Sequence, residues 1–295
     1  MTETAPRANI VTRGQSGPKM AAVRAGMKTL DRVAPHVSAR YVARMWCTLP
    51  RGRSRSLDLR PQRGVIDHLT IYGGREVVTE TWGAGPVVYL VHGWGGWRGQ
   101  LGAFVDPLVA AGFQVVAFDT PSHGEAGPGV LGSGRSTLRE MMEGFEEVVQ
   151  RFGAASGVVA HSLGTTSAAR LELVNSVSPV RAFVAPAPDL SNYDSVLAGL
   201  LGFSERTSVH LRNQMEVLGH DRLNSFDLSR MGGGGELAST LIVHDRNDRE
   251  APYANAQVLA ERWGARLHTT EGLGHQRLLA DPAVIAQVVG HLRQG

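Results

Sequence analysis

Apolar positions along the chain follow two rhythms. In the first 63 residues they recur at helical spacing: Met20, Val23, Met27, Leu30 and Val33, then, after an interruption at Pro35, Val37, Tyr41, Met45 and Leu49. This spacing predicts a helical hairpin or a kinked helix over 19–63, preceded by a polar tail at 1–18. From 64 to 82 the apolar positions alternate about Gly73-Gly74, which predicts a β-hairpin. Short apolar runs then alternate with helical stretches, the pattern of an α/β protein with a mostly parallel central sheet flanked by helices. Strands are expected at 87–91, 115–119, 157–161, 180–185, 241–244 and 267–270, and helices at 137–152 and 253–263. Glu140, Glu143, Glu146 and Glu147 read as the solvated face of the first of these helices. The strand rhythm stops between 187 and 238, where helices near 193–201 and 208–218 precede the glycine run 232–235; this insertion has the place of a small helical cap.

Three side chains able to do chemistry stand just past predicted strands. Ser162 follows the apolar run 157–160 and precedes a helix-favouring stretch, so it sits on a strand–turn–helix corner with small residues, Ala160 and Gly164, two positions to either side. Such a turn strains the backbone, exposes the hydroxyl and aims the Leu163 N–H, beside the positive end of the following helix, at the space where an oxyanion would form. The pattern alone is also that of a serine capping a buried helix. The glycine-rich loop after 87–91, His92-Gly93-Trp94-Gly95-Gly96, can approach a substrate closely and offers the Trp94 N–H as a second donor. It has neither dinucleotide-binding glycine spacing nor a phosphate-loop lysine. The strand end at 241–244 carries two acids, Asp245 and Asp248, of which one can orient a base. The exit loop Gly272-Leu273-Gly274-His275 places an imidazole at the end of the neighbouring strand. In this arrangement neutral His275 takes the serine proton and a carboxylate fixes its tautomer, without any metal or other cofactor. His92, His161 and His244 flank strands and read as packing or hydrogen-bonding residues.

Together these segments resemble the α/β-hydrolase fold superfamily, in its serine-nucleophile, esterase-like branch, over about residues 64–295. The matching pieces are the His-Gly loop at 92–96, the stretch Asp119-Thr120-Pro121-Ser122-His123-Gly124, the elbow at Ser162, the acid loop and the Gly-His loop at 275. The resemblance selects Asp248 over Asp245 as the acid and implies a hydrolase that cleaves a carboxylic ester or thioester through an acyl-serine. It equally covers carbon–carbon bond hydrolases and cofactor-free haloperoxidases, which use the same triad. A catalytically silent, ligand-binding member of the fold is a third reading. Two positions depart from the commonest family pattern: Ala160 and Ser122 stand where glycine is usual, and both substitutes are small. By analogy with caps in the superfamily, Leu200, Leu201, Phe203 and Met215 are candidate walls of a substrate pocket. Asp119 and His123 read as loop structure.

Composition adds little to this picture except at the N-terminus. With 295 residues and 42% hydrophobic content the chain can bury one large core. The single cysteine, Cys47, excludes an intramolecular disulfide, and the start of the chain has no apolar signal-peptide core, so a cytoplasmic enzyme is expected. A net charge of +3 is mild, yet Arg40, Arg44, Arg51, Arg53, Arg55, Arg60 and Arg63 crowd together with Asp58 as the one acid among them. The basic N-terminal helices therefore either dock on the hydrolase body or make a peripheral contact with an anionic membrane. No aromatic interleaving or recognition motif supports nucleic-acid binding. The expected partner is a small ester-like substrate.

Overall fold

A computed structural model describes residues 17–50, 57–62, 64–171, 180–187, 190, 193–231 and 239–294. Most of the expected tail, and the 232–235 glycine run, lie outside these residues. The chain forms two compact units: an α/β unit within 49–188 and 228–295, and a helical unit within 1–48 and 189–227.

The α/β unit holds eight strands: β1 Val65–Ile71, β2 Arg75–Trp82, β3 Val87–Val91, β4 Gln114–Asp119, β5 Ala155–His161, β6 Val180–Val184, β7 Thr240–Asp245 and β8 Arg266–Thr270. They lie in the order β1-β2-β4-β3-β5-β6-β7-β8. The β1–β2 and β2–β4 pairs are antiparallel and every other pair is parallel. Gly73 and Gly74 both take positive φ, 79° and 73°, as the tight hairpin turn between β1 and β2 requires.

Buried on both faces, the central strands send alternate residues into two apolar layers. Tyr89, Val91, Val116, Phe118, Val158, Ala160, Phe183 and Ile242 face one layer, filled by α4 (Leu138–Phe152), α5 (Leu163–Arg170) and α8 (Tyr253–Trp263). Val88, Leu90, Val115, Ala117, Val159, Ala182, Leu241 and Val243 face the other, filled by a 3₁₀ segment (Arg98–Phe104), α3 (Val105–Ala110) and α9 (Pro282–Leu292). The expected solvated face of α4 is corrected in part. Thr137 and Glu140 cap the helix reciprocally, and Glu140, only 2% exposed, faces Arg75, which also pairs with Glu143.

In the helical unit, α1 (Pro18–Val33) and α2 (Pro35–Trp46) are separated at Ala34 because Pro35 starts a new helix and cannot continue the old one. They pack with the insertion helices α6 (Tyr193–Leu201) and α7 (Glu205–Gly219). The core is made of Met27, Ala39, Val42, Ala43, Leu197, Leu201, Phe203, Leu211 and Met215, with Leu200 against its edge. The four residues expected to line a pocket thus serve this core, since N-terminal helices that the sequence placed apart from the insertion supply the other half of it. Buried Asp31 on α1 accepts hydrogen bonds from Ser204 Oγ (3.0 Å) and Thr207 Oγ1 (2.7 Å) at the start of α7. Residues 57–62, expected as a linker continuous with the basic helices, belong to the α/β unit. No helix among the described residues is long and apolar enough to cross a membrane.

Removing one partner from a buried hydrogen bond costs about 1–3 kcal/mol, so Asp31→Ala is expected to loosen the helical unit by that amount. Amide exchange in α1 should accelerate accordingly; unchanged protection of α1 would contradict the role given to Asp31.

Candidate active site

Ser162 sits between β5 and α5 with φ 52° and ψ −125°, a left-handed backbone that a residue with a side chain rarely adopts. Its N–H donates to Val184 O at 3.1 Å, so the neighbouring strand end holds the turn in place. The glycines expected to allow close approach do so. A Cβ on Gly164 would run into the His92 and Val91 carbonyls, and one on Gly93 would stand 2.8 Å from Ser162 Cβ. The loop bearing Trp94 is therefore pressed against the serine on one side, while Leu163, the first residue of α5, adjoins it on the other. The first N–H groups of a helix have no intrahelical acceptor and point toward an incoming anion. Ala160 fits as part of β5, fully buried in the apolar layer. Ser122, where glycine is usual, takes φ 66° and is held by its N–H to Gly127 O (2.8 Å) and by the Gly129 N–H to its Oγ (2.8 Å).

Parallel pairing of β7 with β8 brings the acid loop beside the histidine loop. Asp248 Oδ2 lies 2.8 Å from His275 Nδ1, while Oδ1 accepts the Glu250 and Ala251 N–H groups at 2.8 and 2.9 Å. With Nδ1 donating to a carboxylate, His275 Nε2 is left as the proton acceptor. Burial alone would raise the Asp248 carboxyl's pKa. Hydrogen bonds from His244 and His275, the imidazole's charge and the Ala251 N–H outweigh it and hold the group well below the usual carboxylate range. His244 Nε2 donates to Ala251 O at 2.9 Å and lies 3.4 Å from Asp248 Oδ2, so it braces the acid loop from below. Asp245 accepts from Asn247 N, Thr270 Oγ1 and Leu273 N at 2.7–2.9 Å, tying the acid loop to the histidine loop. That makes Asp245 a structural acid. Among the described residues no hydrogen bond joins Ser162 Oγ to His275; Glu250 Oε2 lies 4.0 Å from Nε2.

Sequence reading singled out Ser162, Asp248 and His275 but missed the residues packed around them. His161 Nε2 donates to the His275 carbonyl at 3.1 Å, and the two rings lie 4.8 Å apart. Burial, and then the neighbouring His275, lower its pKa to about 3, so it stays neutral. His92 Nδ1 bonds to Gly93 O (2.8 Å) and its Nε2 accepts from Thr120 N (3.3 Å), locking the glycine-rich loop to the end of β4. Behind that loop, fully buried Arg98 pairs with Glu80, Asp119 and Glu125, and Arg60 pairs with Asp58 and Glu80 while lying over the Trp97 ring. Asp119, the last residue of β4, accepts from the Arg98 and Glu125 N–H groups, and His123 is buried edge-on to Trp94 at 5.7 Å. Nothing in the apolar pattern marks Glu80 or Arg98, because an interior charge is visible only once its partners are assembled.

The strand order, the strained serine on a strand-to-helix corner and the acid and histidine on successive strand ends agree with a sequence match over residues 88–288 to the family model described as "Alpha/beta hydrolase family". The chain belongs to the alpha/beta hydrolase family. Solved structures carry the same fold at low identity. An esterase from Exiguobacterium antarcticum is 17% identical with a TM-score of 0.58, covering 78% of this chain and 100% of that one. A bromoperoxidase from Bacillus anthracis is 13% identical with a TM-score of 0.56, covering 78% and 100%. The thioesterase domain from the curacin biosynthetic pathway is 18% identical with a TM-score of 0.53, covering 78% and 99%. No curated protein matches the sequence significantly. In this alpha/beta hydrolase the matched segment takes in the insertion helices α6 and α7 of the helical unit, whereas α1 and α2 precede it.

The buried histidine gives a pH prediction. His161 has a folded pKa near 3 against 6.5 for the free side chain. The unfolded chain therefore binds a proton that the native state refuses: stability is complete above about pH 6.5 and declines as pH falls toward 3, with a limiting slope of about 1.4 kcal/mol per pH unit. His161→Gln keeps a donor for the His275 carbonyl and removes the titration. Its urea midpoint should fall less between pH 7 and pH 5 than that of the wild type; an equal or larger fall in the variant would contradict the assignment.

Proposed function

We propose that the protein hydrolyses an ester-like bond, a carboxylic ester or thioester, through an acyl-serine. Ser162 Oγ attacks the substrate carbonyl carbon while its proton passes to His275 Nε2. Asp248 keeps the ring in the Nδ1–H tautomer and stabilises the imidazolium. The tetrahedral oxyanion is met by the N–H groups of Leu163 and Trp94, an arrangement in which each donor contributes about 3–4 kcal/mol to the transition state. Collapse expels the alcohol or thiol, which takes the proton from His275. Water, deprotonated by the same nitrogen, then attacks the acyl carbon and releases the acid with Ser162 restored.

The observation that carries this reading is the coincidence of the strained backbone at Ser162 with the 2.8 Å bond from His275 to Asp248. A serine serving only as a helix cap would not need a left-handed φ, and a structural histidine would not need a dedicated buried acid. One observation favours a second reading, a silent member that binds rather than cleaves: the missing bond between Ser162 and His275. Free enzymes often hold this bond long until substrate arrives, so it does not displace the first reading.

Ser162→Ala decides between them. Hydrolysis of short- and medium-chain p-nitrophenyl esters and acyl thioesters should fall by about a thousandfold or more, with the melting temperature within a few degrees of wild type. Residual turnover above about a hundredth would remove Ser162 as the nucleophile. Equal, negligible turnover of every ester and thioester by wild type and variant would favour the silent reading.

A further inference from the structure

The outer face of α2 carries two parallel stripes that the fold itself does not use. Val37, Tyr41 and Met45 recur every four residues and are 41%, 53% and 37% exposed, although the core of the helical unit is already closed by Ala39, Val42 and Ala43 on the opposite side of the same helix. Beside them, also at every fourth position, stand His36, Arg40 and Arg44, all exposed. Helix α1 adds exposed Lys19, Arg24, Lys28 and Arg32. Across both helices six lysines and arginines face a single acid, Asp31, which is buried and committed to Ser204 and Thr207.

We propose that this face is a docking surface for an anionic lipid bilayer. An apolar stripe flanked by cations along one helix matches a medium that is apolar below and negatively charged at its surface, and Tyr41 presents an apolar ring with a polar tip suited to that boundary. A nucleic acid would satisfy the cations and leave Val37, Tyr41 and Met45 in water. A second copy of the chain would bring one cationic face against another. The inference concerns where the protein rests and does not depend on the chemistry at Ser162.

Co-sedimentation of the full chain with phosphatidylcholine vesicles, with and without about one-third phosphatidylglycerol, tests it. Binding to the anionic vesicles should be at least about tenfold tighter than to neutral ones, and should weaken strongly as salt rises from about 0.1 M to about 1 M and the Debye length shrinks. Arg40→Glu with Arg44→Glu should abolish that preference. Tyr41→Ser with Met45→Ser should weaken anionic binding several-fold, both double variants melting near the wild-type temperature. The proposal is overturned by absent or charge-indifferent vesicle binding, or by binding that ignores both double variants. It is equally overturned by a solution dimer that Tyr41→Ser with Met45→Ser dissociates, which would assign the face to a second copy.

Discussion

Much of the α/β unit answers to one constraint: a left-handed backbone at Ser162. Such a conformation costs on the order of 1–3 kcal/mol in a residue with a side chain and survives only where its surroundings leave no alternative. Here the surroundings are the Val184 carbonyl on one side, the His92 and Val91 carbonyls against Gly164, and Gly93 against the serine itself. Because β3, β5 and β6 are adjacent and parallel, their ends are fixed together by the sheet, and the two apolar layers that bury the sheet also hold the turn closed. Strain at the serine is thereby maintained by packing far larger than itself.

Around this corner the buried ionisable groups are held in defined states. His92, His123 and His161 are buried and kept neutral, chiefly by desolvation, while Asp248 is kept ionised by its donors despite burial. His275 differs from those three in having a buried carboxylate as partner. The ion-pair cluster of Arg98 with Glu80, Asp119 and Glu125 lies behind the glycine-rich loop and fixes it to β2 and β4, so the loop's backbone rests on a rigid base. Preorganised donors act only when they need not reorganise during reaction, and a buried network gives that rigidity.

What could be read from the sequence was what leaves a local imprint. Strand β3 and helix α8 begin and end where their apolar patterns do, and the glycine pair at 73–74 marks its turn, because period and turn chemistry are properties of neighbouring residues. Ser162, Asp248 and His275 were legible through their place just past strands. Non-local facts were not. Leu201, Phe203 and Met215 are apolar whether they line a pocket or fill a core, and only the arrival of α1 and α2, more than 150 residues earlier in the chain, makes them core. In the same way Glu140 looks like the half-buried Glu143, Glu146 and Glu147 until Thr137 and Arg75 are brought to it. His161 and His244 were recognised as flanking strands, but their bonds to the His275 carbonyl and beside Asp248 follow from the sheet order and not from any spacing.

The central claim is that Ser162 is an activated nucleophile. Intact-mass spectrometry after incubation with a fluorophosphonate, followed by peptide mapping, tests it directly, since a serine hydroxyl without a functioning base does not react with such reagents. The account predicts a single adduct carried by Ser162; folded protein without an adduct, or with the adduct on another residue, would contradict it.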